Sequence, residues 1–127
     1  MPLHYPDIAL HVPTLLMPRA DIPLETWAVI ACDQYTSQPE YWEEVRKIVG
    51  IHPSTLHLIF PEAYLESADR AQVISDINRH MEEYIETGVL VEQRPGFMLV
   101  ERGVGRSVSR RGLVVALDLE QYDYRDG

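Results

Sequence analysis

A thiol, a carboxylate, an amide and two hydroxyls fall together at Cys32, Asp33, Gln34, Thr36 and Ser37, directly before a stretch patterned as a helix. As a nucleophile, Cys32 would need a base such as histidine within hydrogen-bond reach and a lowered pKa. The histidines, at 4, 11, 52, 57 and 80, are scattered along the chain. A lone cysteine ending an apolar run is more often a small core residue, and that is the preferred reading. Asp33, Gln34, Thr36 and Ser37 are better candidates for contact with a polar or anionic ligand. The free amides and positive dipole end of a helix N-terminus favour negative charge. Ser37 also has capping-box spacing with Glu40, and capping is its main expected role. For Asp33 and Gln34, ligand contact and turn hydrogen bonds both stay open.

A second group of candidates is basic. Five arginines lie between Arg94 and Arg111 against one acid, Glu101, and Arg106, Arg110 and Arg111 could clamp a phosphate or carboxylate. Gly103-Val-Gly-Arg106 has two glycines of a phosphate-binding loop, but the third is missing and no helix follows. It matches neither a dinucleotide fingerprint nor a P-loop, and a solvated hairpin tip is the plainer account. No metal site is expected: His52 and His57 flank Pro53 without zinc-site spacing, and His80 reads as the flank of a helix.

These residues need elements to hold them. Trp27–Ala31 is an apolar run that predicts a buried strand. Helices are predicted over 38–49, with a Trp42, Val45 and Val49 stripe, and over 69–87, with Val73, Ile74, Ile77, Met81, Tyr84 and Ile85 on one face. Ser54–Phe60 reads as a second strand, 62–66 as a helical turn, and 89–91 as a short strand or buried connection. Strands at 96–102 and 112–119 form an antiparallel hairpin with a long basic tip over 103–111. Prolines 2, 6, 13, 18 and 23 make residues 1–26 an extended lead segment with one short edge strand. The expected fold class is α/β, with α+β as the alternative: a mixed sheet, two main helices packed against it, and the C-terminal hairpin. The expected organisation is a lead segment, 1–26, and an α/β body, 27–127. Together they form a single domain or the N-terminal fragment of a larger one.

The chain has 127 residues, a net charge of −9 and 46% hydrophobic residues. That is enough for one core, and the acidity argues against general phosphate-backbone binding, so nucleic acid is not an expected partner. No run is long enough to span a membrane, and the start lacks the features of a secretory signal. A single cysteine forms no internal disulfide and fits a cytoplasmic location.

Trp27 to Val45 resembles the N-terminal signature of the domain-of-unknown-function 1015 family. The resemblance continues through Pro53-Ser-Thr-Leu56, Pro61-Glu-Ala-Tyr-Leu65, Gly88-Val-Leu90, Gly96–Arg102 and Arg111–Glu120. It implies a bacterial protein of which this chain is the N-terminal portion, with the remainder of the parent chain as a partner. Other branches carry Tyr-Asp in place of Cys32-Asp33, which leaves Asp33 as the shared polar residue. The distant similarity of some members to ParB-type domains, a group that includes free-serine kinases, implies a phosphorylated small molecule or nucleotide as ligand. The alternative is a non-catalytic interaction module. The cofactor stays open.

Overall fold

The computed structural model describes residues 2–30, 37–67, 69–105 and 108–119. Cys32, Asp33, Gln34, Thr36 and Arg106 lie outside the described residues. In chain order the elements are β1 (His4–Tyr5), a 3-10 turn at Pro6–Ile8, β2 (Leu10–His11), β3 (Leu16–Pro18), α1 (Leu24–Trp27) and α2 (Pro39–Val49). Further 3-10 turns at Thr55–Leu58 and Glu62–Tyr64 precede α3 (Arg70–Glu86), β4 (Leu90–Glu92), β5 (Met98–Val104), β6 (Val108–Val114) and β7 (Ala116–Leu117). The α/β character expected from the sequence is present. Its described strands are distributed over three small sheets, in the orders β1-β2-β7, β3-β4 and β5-β6. The chain divides into two compact units, residues 17–91 and residues 1–16 with 92–127.

The 17–91 unit is built on α2. Its predicted stripe buries Trp42 to 1% and Val49 to 2% exposure, and Leu56 joins them in a core flanked by Val29, Tyr41, Val45, Ile59, Ala63 and Tyr64. Pro39 opens the helix, where its missing N–H costs nothing. The expected capping box is absent: Gln38 is the N-cap and has no side-chain cap bond. The helix starts one residue too late, so Glu40 does not occupy the N3 position that the box requires. At the other end Gly50, at φ +55°, donates its N–H to Arg46 O at 2.9 Å.

Neither predicted strand forms over its described residues: the 54–60 stretch contains a 3-10 turn, and of residues 27–30 only Trp27 is helical, as the last residue of α1, while 28–30 form no regular element. At Trp27, Pro23 initiates α1, with Trp27 N–H donating to Pro23 O at 3.0 Å and Ala28 N–H to Leu24 O at 2.9 Å. A short apolar run cannot distinguish a buried strand from a buried turn of helix. At Ser54–Phe60, the Ser54 hydroxyl accepts from Leu56 N–H at 3.1 Å and caps the 3-10 turn that replaces the strand. That is the local bond by which serine diverts a backbone from a sheet ladder. The predicted long helix stands as α3, but its packed face is rotated. Val73, Ile77 and His80 are half-buried and Tyr84 buried, whereas Ile74, Met81 and Ile85 are exposed. His80 therefore belongs to the packed stripe. Arg19 donates twice to Asp21, at 2.5 and 3.2 Å, and once to Gly88 O at 3.2 Å. Gly88 itself sits at φ +72°, a left-handed conformation that L side chains rarely adopt.

In the other unit, the lead segment supplies two strands of the three-stranded sheet. His4 lies opposite His11, and Leu10 lies opposite Leu117. The hairpin is present with a much shorter tip than expected, because the register runs from Met98↔Val114 to Val104↔Val108. Arg111 pairs with Glu101 at 2.7 Å, and Arg110 lies opposite Arg102. The expected 112–119 strand is divided, with β6 and β7 belonging to different sheets. Among the described residues, no helix is long and apolar enough to cross a membrane.

Candidate functional site

Within the 17–91 unit, the last turn of α2, the 3-10 turn at 55–58 and α3 line a cleft of about 460 Å³. Its walls are apolar at Leu56, Ile59, Pro61, Val73 and Ile77, and polar at Arg46, His57, Asp76 and His80. The two imidazoles stack, with centroids 5.1 Å apart and planes inclined by 26°. They also line a second hollow of about 230 Å³, together with His52, Glu83 and Tyr84.

A buried hydrogen-bond network fixes the ring of His57. Its Nδ1 lies 2.6 Å from Tyr84 Oη, within hydrogen-bond distance. Tyr84 Oη also accepts from the Ser54 N–H at 3.0 Å and bonds Ser54 O at 3.4 Å. Ser54 is fully buried, and its hydroxyl donates to Trp27 O at 3.4 Å, alongside a 2.7 Å bond from Thr55 Oγ1 to the same carbonyl. Among the described residues, no buried side-chain polar atom is left without a partner. Ser54 is thus a structural residue, with its hydroxyl committed on both sides.

Arg46 is held at the cleft by Tyr64. Its Nη1 donates to the Tyr64 hydroxyl at 3.1 Å, and its guanidinium carbon lies 4.8 Å from the ring centroid. Asp76 accepts from Arg79 at 3.2 Å and Gln72 at 3.3 Å, and these bonds, Arg79's first, hold its carboxyl below the usual range. Burial pushes the Tyr84 phenol up, so it stays protonated. Burial, followed by the neighbouring His80, pushes His57 below its ordinary 6.5, against a smaller opposing effect of Glu83. His57 is therefore a neutral imidazole at pH 7. The unfolded chain takes up a proton at His57 near pH 6.5 while the folded chain resists it, so stability falls as pH drops below 6.5 and through the lower folded value. His57→Gln should flatten the dependence of melting temperature on pH below about 6.5, and an unchanged slope would assign the acid sensitivity to other groups.

Among the described residues, no candidate taken from the sequence lines this cleft. Ser37 is exposed ahead of α2. Arg110 and Arg111 lie on β6 in the other unit, where adjacent strand positions face opposite sides, so the two do not converge on one anion. Cys32, Asp33, Gln34, Thr36 and Arg106 fall outside the described residues. Sequence reasoning missed Arg46, His57 and Tyr84 as site residues. The available signal was the spacing of Ile77, His80 and Tyr84 on one helical face.

A family profile described as a protein of unknown function (DUF1015) matches residues 15–126. No curated protein and no solved structure matched the chain.

Proposed function

The chain belongs to the DUF1015 family, and from that premise we propose that the cleft beside α2 and α3 binds a small phosphorylated molecule, of the phosphoserine or nucleotide type. The observation that carries the reading is the convergence of one guanidinium and two imidazoles on a mostly apolar hollow of about 460 Å³. Ligand clefts are commonly of that size, with a few polar groups fixing orientation on apolar walls. Arg46 offsets the phosphate charge, and its stacking on Tyr64 pre-orients it for that contact. The imidazoles of His57 and His80 supply hydrogen bonds, and Leu56, Val73 and Ile77 receive the apolar part. Asp76 suits an amine or hydroxyl on the same ligand. Asp33 and Gln34, candidates on sequence grounds, enter the reading as groups that orient the ligand. A cytoplasmic setting is part of the proposal, supported by the single cysteine.

A thermal-shift titration with phosphoserine, adenosine monophosphate and inorganic phosphate tests it. A ligand present at about a hundred times its dissociation constant adds roughly 2.7 kcal/mol, which is visible as a raised melting temperature. Arg46→Gln should weaken binding at least tenfold while costing only about 0.5–1 kcal/mol of stability through the lost stacking on Tyr64. Asp33→Asn should weaken it as well. No shift with any probe, or an unchanged affinity in Arg46→Gln, would remove this function.

A further inference from the structure

We propose that His4, His11 and Asp118 form a binding site for a divalent first-row transition cation, separate from the cleft and independent of the reading given to it. The β-ladder brings the three together from opposite ends of the sequence. His4 and His11 are direct cross-strand partners on β1 and β2, which places their side chains on one face. β7 pairs with the other edge of β2 through Leu10↔Leu117 and His11↔Ala116. The Asp118 N–H donates to Ala9 O at 2.9 Å, extending that register by one more position. No metal site is readable in the sequence, because His11 and Asp118 are 107 positions apart.

The donor set fits such an ion. His11 Nε2 bonds Asp118 Oδ1, His4 Nε2 lies 3.5 Å from Asp118 Oδ2, and one donor atom from each residue lies within 4.8 Å of the others. Zinc–nitrogen distances of about 2.0–2.1 Å place tetrahedral ligand atoms roughly 3.3 Å apart. The stacked rings direct their lone pairs side by side, so the two imidazoles must turn toward each other to hold one ion, and side chains between 38% and 49% exposed have room to do so. The imidazoles stack at 4.0 Å with planes inclined by 7°. Two protonated rings so placed would repel, whereas a bound cation uses both as neutral donors. Two imidazoles and one carboxylate select zinc, iron, nickel or copper over magnesium and calcium, which prefer all-oxygen sets. Three protein ligands on an exposed face leave further coordination positions to water or a small ligand.

Isothermal titration of the chain with Zn²⁺ should give one bound ion per chain, and Mg²⁺ should give no response. His4→Ala, His11→Ala and Asp118→Asn should each weaken zinc binding at least tenfold, and His52→Ala should leave it unchanged. Because these strands are short, a loss of binding in a variant could reflect unfolding. The unmutated chain is therefore also followed by imidazole nitrogen resonances, and zinc should move Nε2 of His4 and His11 ahead of those of His52, His57 and His80. Absent zinc binding, an equal response to Mg²⁺, unchanged affinity in His11→Ala, or resonance shifts confined to the other histidines would each overturn the site.

Discussion

Trp42→Ala is expected to cost about 3–5 kcal/mol, the usual range for removing a buried tryptophan. The indole is 1% exposed and packs with Val49 and Leu56. Tyr41 meets it edge-on at 5.1 Å. Removing the ring loses its transfer free energy and leaves a void that Val29, Val45, Ile59 and Ala63 can only partly fill. A domain of ordinary stability has about 5–15 kcal/mol in total, so the loss is a large fraction of what holds the 17–91 unit folded. Urea denaturation followed by circular dichroism measures it. Trp42→Phe, which keeps an aromatic ring in the same hole, should retain a cooperative transition at a smaller cost. A loss below about 1 kcal/mol for Trp42→Ala would mean that the indole is not the centre of this core.

Tyr84→Phe tests the buried polar network with almost no change in shape. The ring stays, with Trp27 at 6.0 Å between centroids, and only the hydroxyl leaves. With it goes the acceptor of the Ser54 N–H and the partner of His57 Nδ1. Ser54 is fully buried, so its amide would be left without a bond, and an unsatisfied buried donor costs about 1–3 kcal/mol. Hydrogen exchange at the Ser54 amide gives a local readout: protection should fall in Tyr84→Phe by more than global stability does. Equal protection in both proteins would show that water replaces the phenol.

Long periodic stretches and strong turn chemistry were legible in the sequence. α2 follows from Trp42, Val45 and Val49 at helical spacing, α3 from a run of apolar residues over more than four turns, and the hairpin from two apolar runs around Gly103 and Gly105. Family membership was legible too, because it rests on strings of residue identities from Trp27 onward. Short apolar runs were not: the backbone at Trp27 is decided by Pro23, and that at Ser54 by the serine's own hydroxyl. The packed face of α3 was right at Val73, Ile77 and Tyr84 and wrong at Ile74, Met81 and Ile85, which are exposed, because hydrophobicity favours them whereas the 3-10 turn meets the helix at His80 and Tyr84. Neither histidine cluster could be read, since each joins residues whose nearness depends on register or on packing between distant elements.

The 1–16 and 92–127 unit is discontinuous along the chain, and this sets an order on synthesis. β1 and β2 are made before the rest of this unit, but the second edge of β2 has no partner until Ala116 and Leu117 are made. At about 5–20 residues per second, that edge waits roughly 5–20 s. The contiguous 17–91 stretch is made before then, so the sheet that carries His4 and His11 closes only after that unit has been synthesised.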